Sequence, residues 1–281
     1  MKNKKVKFFE PKILKEFGNI IGIISTIISL ILIFVDIPND KKIILGIMFI
    51  VFLVIIYVGI WIKNNYFLKR IELNINNCNF EIKEGDIFEQ DGLKVIGFNE
   101  FFDTELGDRL ISETTLHGIY LKKYIHNQSD KNILDNKILN DSNLSQNIIE
   151  TNVQRFLGKT TRYKLGTIYK NDDFLLTAFS KFDDDNRAYL TKDYYIDFLL
   201  NFWQELDMIY SGKNIAIPLL GSGITRFNIG RKLTNQELLE SLIFTFKLSN
   251  INFTSRISII IYKDTFDTIN LFKLKGDNYE L

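Results

Sequence analysis

The sequence predicts an α/β protein in two parts: a two-helix membrane hairpin, then a soluble domain built on a sheet covered on both faces. Three observations carry that expectation. Two runs, Phe17–Val35 and Ile43–Ile62, contain no charged side chain. Beyond residue 70, short apolar strands alternate with amphipathic helices. One of those strands, Ile215–Leu220, runs straight into Gly221, Ser222 and Gly223.

The charge-free runs are 19 and 20 residues long. At about 1.5 Å per residue each crosses a hydrocarbon core of roughly 30 Å. The first run is longer than a secretory h-region, lacks a small-residue cleavage site and is followed by a second span, which argues against a cleaved signal. Lys2, Lys4, Lys5, Lys7, Lys12 and Lys15 precede the first span, and Lys63, Lys69 and Arg70 follow the second, whereas the turn Asp36 to Lys42 is balanced. The positive-inside rule therefore places both ends in the cytoplasm, as a two-span protein of the inner membrane. Residues 1–70 carry a net +7 and the rest −6, within a total of +1. A mildly acidic soluble part argues against a nucleic-acid groove, and the basic flanks suit anionic headgroups of a lipid bilayer. Neither span contains an ionisable residue, so a proton relay or transporter site is not expected. Gly18, Gly22, Ser25 or Thr26, and Ser29 line one face of the first span, the small-xxx-small pattern of helix association.

Residues 71–281 read as one domain. Ile71–Ile82 predicts one or two short strands, and Leu93–Phe98 another. Leu106–Ile125 is helical in parts but interrupted by Gly107 and Gly118. Asn127–Asn147, rich in Asn, Asp and Ser, reads as an inserted or mobile surface segment. Gly166–Lys170 and Phe174–Phe182 form a hairpin across Asn171, Asp172 and Asp173. Tyr194 to Ile209 has helical spacing. Thr234 and Glu237 make a capping box that opens the next helix. Ile257–Tyr262 is a nearly all-apolar strand, and Thr265–Leu274 a last helix.

The chemistry is expected where strands end in glycine. In the stretch from Ile217 to Arg226, Gly221 and Gly223 let backbone N–H groups turn toward a phosphate. Ser222 and Thr225 add hydroxyls, and Arg226 neutralises charge. The alternative is a plain tight turn. No lysine follows in the manner of a P-loop, which argues against ATP hydrolysis of that type.

Gly85-Asp86-Ile87, a strand ending at Phe98-Asn99, and Gly221-Ser222-Gly223-Ile224 together resemble the landmarks of macro domains. Phe98-Asn99-Glu100-Phe101-Phe102-Asp103-Thr104, Leu116-His117-Gly118, the helix bearing Trp203 and Pro218 to Gly223 resemble more closely the ThsA-like effectors of Thoeris antiphage systems that carry two membrane spans. The resemblance covers the whole chain. It implies a macro-like three-layer α/β/α domain with a mixed sheet, an ADP-ribose derivative as ligand, and no cofactor. Asp86 and Ile87 would lie at the adenine and Asn99 at the distal ribose. Gly221, Ser222, Gly223, Ile224 and Thr225 would wrap the pyrophosphate, with Arg226 alongside and Phe227 by the ribose.

The implied role is a sensor. A partner TIR-domain protein would make a signal nucleotide from NAD, and its binding would drive homo-oligomerisation and membrane damage. This chain has Asn99 to Asp103 and Leu106 to Arg109 where family hydrolases carry an N-A-A-N run and a glycine stretch. Water activation is therefore not expected, and no catalytic residue is assigned. Asp103, Thr104, Asp108 and Arg109 either read a group on the terminal ribose, as in histidine-ADP-ribose, or are solvated loop residues. A membrane-tethered ADP-ribosyl hydrolase and a non-catalytic scaffold are the competing readings. With two histidines and one cysteine, a multi-histidine or Cys₂His₂ zinc site is excluded on ligand count. Cys78 is expected to be structural and Asp183 to Asp185 a hairpin tip; His117 reads as a turn or helix-end residue, with facing the pocket as the alternative.

Overall fold

The computed structural model describes residues 6–107, 110–183, 185–223, 226–227 (backbone only) and 232–274. The chain divides into two compact units. One is drawn from Met1–Ile71 and Asp267–Asp277, the other from Glu72–Phe266. Sequence alone assigned everything after residue 70 to one domain; the last described residues instead belong with the N-terminal helices.

In the first unit, α1 (Pro11–Leu32) and α2 (Asn39–Ile62) are joined by a short turn, and α2 continues into a π-helical turn, Lys63–Phe67. Both helices begin earlier than the charge-free runs, because Pro11 suits a first helical turn and the helix tolerates charged residues at its ends. Both are long and apolar enough to cross a membrane. Their packed end is small: Val6, Ile13, Tyr57 and Ile60 form a cluster with Phe272 of a terminal helical turn, Leu271–Leu274. The N-terminal segment is tied there by Asn65, whose Oδ1 accepts from the Val6 N–H at 3.0 Å, and by Trp61, whose indole donates to the Val6 carbonyl. Away from that end, Ile23, Ile27, Leu30, Ile43, Met48 and Ile55 are exposed. Two long helices with this much bare apolar surface need a covering that water does not supply.

The second unit is a mixed sheet between helical layers. Its strands are β1 (Arg70–Ile75), β2 (Cys78–Glu84), β3 (Leu93–Asn99), and, after a separate two-stranded ribbon β4 (Ile148–Glu150) with β5 (Arg162–Tyr163), β6 (Ile168–Asn171), β7 (Phe174–Phe182), β8 (Ala188–Leu190), β9 (Ile215–Pro218), β10 (Arg226–Phe227) and β11 (Ile257–Ile261). The described order is β1-β2-β11-β9-β3-β7-β8-β10, with β6 also on β7. The run β2, β11, β9, β3, β7 is parallel, and β6 and β8 are antiparallel to β7.

Alternation along β7 sorts the two faces. Phe174, Leu176 and Ala178 join a core with Ile96 and Phe98 under α3 (Leu116–Tyr124), α4 (Gln128–Leu139) and α5 (Ser142–Gln146). On the other face Phe179 meets Phe198 of α6 (Lys192–Ile209), ring centroids 5.0 Å apart, and Phe80 meets Phe246 of α7 (Asn235–Ser249). Trp203 packs on Phe246 and donates to Thr245 Oγ1 at 3.1 Å, so α6 and α7 are locked as one layer. This is the α/β/α arrangement expected. The capping box at Thr234 and Glu237 is present.

Three elements differ from expectation. The polar segment 127–147 is helical, not a loose insertion: Asn127 and Asp141 are N-caps, and Leu134, Ile138 and Leu144 are buried. Its Asn, Asp and Ser residues mark helix starts as readily as loops. Of Leu106–Ile125, only the part after the Thr115 cap is α-helical. The expected last helix is two single turns, α8 (Lys263–Phe266) and α9 (Leu271–Leu274), which fall in different units.

Candidate functional site

In a sheet of parallel strands the carboxyl ends converge, and the loops leaving them enclose the space where ligands are held. Here the ends of β2, β3, β9 and β11 surround a cavity of about 570 Å³. Gly85, Asp86 and Ile87 line it after β2, and Pro218 to Gly223 after β9. The start of α3, Thr114 to His117, closes a third side, and Tyr262 and Thr265 stand at the end of β11.

Asp86 caps the short turn Ile87–Glu89: its Oδ1 accepts from the Phe88 N–H at 2.9 Å, and its carbonyl accepts from Gln90. Oδ2 has no hydrogen-bond partner among the described residues, so one carboxylate oxygen is held while the other is open to a donor. The glycine turn is set from behind. Gly221 has φ +91°, the left-handed region that suits glycine, and the Leu220 carbonyl accepts from the buried Tyr195 hydroxyl at 3.2 Å. Ser222 donates both its N–H and its hydroxyl to the Leu219 carbonyl, so that side chain braces the turn. At Gly97 a Cβ would come within 3.1 Å of Leu220 and 3.3 Å of Phe179, so glycine there lets the turn approach β3.

The helix α3 presents its N-terminus to the same space. Thr115 Oγ1 accepts from the Gly118 N–H at 3.0 Å, and the N–H groups of Leu116 and His117 have no partner among the described residues. Orphan N–H groups at the positive end of a helix favour an anion. Gly118 is required for this entry: a Cβ there would meet the Ser112 carbonyl at 2.2 Å. The buried His117 ring stacks on Phe98, centroids 3.5 Å apart, and its Nε2 donates to the Asp103 carbonyl at 2.9 Å. Burial pushes its pKa down to about 3, the Asp103 bond opposing and nearby Lys159 reinforcing the shift.

The loop after β3 is organised by charge buried beneath the site. Asn99 Oδ1 accepts from the N–H groups of Phe101 and Asp103, and its amide donates to Asp103 Oδ2 at 2.9 Å. Asp103 also accepts from Arg155 Nη2 at 2.9 Å and from the Lys159 N–H at 2.7 Å. The Arg155 guanidinium lies 3.8 Å over the Phe101 ring and reaches Asn186 and the Lys159 carbonyl. The Asp103 and Arg155 side chains are 1% and 6% exposed, so the pair is fully inside. Lys159 Nζ completes the clamp on the Phe102 carbonyl, and Phe102 is held at φ 51°. Glu100 is buried too; burial raises its pKa, against the Phe182 N–H and Arg162.

The expected site residues therefore separate. Asp86, Ile87, Gly221, Ser222 and Gly223 meet around the main cavity. Asn99 faces a side chamber of about 80 Å³, which shares Gly97, Thr115, His117 and Phe179 with the main cavity. Asp103 lies in the buried clamp. Thr104 donates to Asp135 at 2.6 Å and faces a different recess with His126 and Lys131. A chain turning back on itself after Asn99 buries the one and points the other away, which residue spacing does not reveal. Arg109, Asp108, Ile224 and Thr225 lie outside the described residues, as do the side chains of Arg226 and Phe227. Thr114, Thr115, Leu116, Phe179, Tyr262 and Thr265 were not named as site residues from sequence, although Leu116 stood in a quoted motif; the threonine cap before it was the available signal. Cys78 is buried at the start of β2, and Asp183 lies in the β7–β8 hairpin. Among the described residues no group of three or more His, Cys, Asp and Glu side chains could share a metal ion.

A three-layer α/β/α domain with its cavity at the strand ends, closed by a glycine turn and a helix N-terminus, is the class of the macro domain. The family profile described as Thoeris protein ThsA, Macro domain, matches residues 80–262. Thoeris protein ThsA of Bacillus amyloliquefaciens (strain Y2) is 41% identical over 262 residues, 92% of this chain and 86% of that protein. The chain belongs to the Thoeris ThsA family. Among solved structures it is similar to the Oceanobacillus iheyensis macrodomain with ADP, at 14% identity and a TM-score of 0.44, over 73% of this chain and 95% of that one. The same macrodomain with MES bound gives 15% identity and a TM-score of 0.46, over 73% and 95%.

Proposed function

We propose that this chain is a membrane effector of a Thoeris-type antiphage response that senses an ADP-ribose-type nucleotide and does not turn it over. The observation that carries this is the 570 Å³ cavity lined by the glycine turn at Gly221 to Gly223 and by the start of α3, where the N–H groups of Leu116 and His117 have no partner among the described residues. The N–H groups at the start of α3, with the glycine turn lining the same cavity, suit a pyrophosphate, and the open oxygen of Asp86 suits an adenine amino group. The signal is an NAD-derived molecule made by a TIR-domain protein, with a terminal conjugate such as histidine-ADP-ribose among its forms. Membership of the Thoeris ThsA family supports that source.

The two apolar helices supply the output. They sit in the inner membrane with both chain ends cytoplasmic, and ligand binding favours an oligomer whose clustered hairpins disrupt the bilayer and end the infected cell. A ligand shifts such an equilibrium only by its differential affinity for the assembled state. The test is calorimetric titration of the full chain in detergent with NAD, ADP-ribose and histidine-ADP-ribose, followed by sizing and by dye release from liposomes holding the protein. Binding of an ADP-ribose form with growth in size and dye release is expected. Failure of all three ligands to bind would refute the sensor, and release of free ADP-ribose from a conjugate would refute the non-enzymatic reading.

A further inference from the structure

His117 occupies an unusual position for a histidine in a nucleotide cavity. Its ring lies tilted against Phe98 in the interior, and the residue lines both the main cavity and the side chamber. Nε2 is committed: its partner is a backbone carbonyl, which only accepts, so Nε2 carries the proton. The neutral ring then has a bare lone pair on Nδ1. That atom has no hydrogen-bond partner in the described protein and is not one of the sealed, unpartnered polar atoms of the interior.

We propose that His117 is a ligand-binding residue whose Nδ1 is a permanently oriented acceptor for a hydroxyl of the nucleotide's terminal ribose. The proposal rests on the reading of this cavity as an ADP-ribose site. Four features bear on that choice. An acceptor lone pair repels phosphate oxygens, so the pyrophosphate takes the adjacent N–H groups of α3 and not the ring. The side chamber beyond His117 holds about 80 Å³ and is lined by Asn99, Ser112, Thr115 and Ser180 among others, which fits hydroxyls or a small substituent and not a purine. The Asp103 carbonyl that fixes the tautomer is itself fixed by Asn99, Arg155 and Lys159, so the acceptor direction is set before the ligand arrives. Burial keeps the ring neutral through the physiological range, so it does not turn into a second donor that would attract phosphate.

The test compares ADP-ribose with ADP, which lacks the terminal ribose, on the full chain in detergent. His117→Phe keeps a ring against Phe98 and removes the acceptor. Losing one hydrogen bond to a preorganised acceptor should weaken ADP-ribose by roughly fivefold to tenfold while ADP changes less than about twofold. An unchanged ADP-ribose affinity, or an equal loss for ADP, overturns the proposal. Because a core substitution can disturb folding, a second measurement uses the native ring. In a His126→Gln chain with ¹⁵N-labelled histidine, Nδ1 should be unprotonated between pH 5.5 and 8, and its resonance should move with ADP-ribose and not with ADP. A protonated Nδ1, or a resonance indifferent to ADP-ribose, overturns it as well. Wild-type protein that binds neither nucleotide refutes the nucleotide site itself, a result distinct from binding that ignores His117.

Discussion

Removing Arg155 would leave the Asp103 carboxylate buried without its paired guanidinium. The two groups are 2.9 Å apart with side chains 6% and 1% exposed, and the Lys159 ammonium is committed to Asp135 and the Phe102 carbonyl. At an effective dielectric of about 20 their direct attraction is on the order of 6 kcal/mol. Desolvation of both ions offsets much of that gain, but truncating one partner of such a pair typically costs about 3–5 kcal/mol, because the other charge stays buried. Arg155→Ala should therefore destabilise the sheet-bearing unit by about 4 kcal/mol. Combining Arg155→Met with Asp103→Asn should recover at least half the loss by removing the orphaned charge. The assay is denaturant unfolding of the full chain in detergent on a Trp61→Phe background, where the buried Trp203 is the remaining tryptophan of two and reports the sheet-bearing unit. A loss below about 1 kcal/mol, or a double variant no more stable than the single one, would refute the clamp. The same Arg155→Ala protein should bind ADP-ribose more weakly, since the Asp103 carbonyl that orients His117 is released.

Other perturbations follow from the same geometry. Unfolded His117 binds a proton near pH 6.5, whereas the folded ring does so only near about 3, so the unfolded state holds more protons in between. Stability should fall as pH drops below about 6.5, by up to about 1.4 kcal/mol per pH unit, and His117→Phe should flatten that part of the curve; an unaltered slope would count against a neutral buried ring. Gly118→Ala drives a Cβ to 2.2 Å from the Ser112 carbonyl and should cost about 2–3 kcal/mol or more. It should also abolish the thermal shift given by ADP-ribose, and a stable variant that still shows the shift would refute the close approach. The Cys78 thiol is buried, raised to about 11 by that burial, and donates to the Ser255 carbonyl. Maleimide labelling at pH 7 should therefore be slow in the native protein and track unfolding, and rapid labelling would show β2 to be loose.

Much of the fold was legible because one rule acted along each segment. Phe174–Phe182 matches its strand to the residue, and Thr234 with Glu237 marks a helix start by local hydrogen bonds. Misreading came where local chemistry has two uses. Asn127 and Asp141 cap helices but equally resemble loop residues, and the three buried apolar side chains at 134, 138 and 144 are too sparse to announce a face. The candidate site divides in the same way. Glycines and Asp86 at strand ends could be placed from sequence, because strand ends converge in any parallel sheet. Asp103, by contrast, reads either as a contact to the ligand's terminal group or as a solvated loop charge until Arg155, 52 residues later, is found against it.

The sequence by itself determined the two apolar helices, the covered sheet and the glycine turn, since hydrophobic length, period and backbone freedom are properties of neighbouring residues. Only the tertiary structure decided which polar groups face the cavity. A hydrogen bond is short and directional, so its partner is set by where the chain returns. Asp103 was turned inward by Arg155 and Lys159, far along the chain, and His117 was given its orientation by the Asp103 carbonyl, a partner that no spacing rule could assign to it.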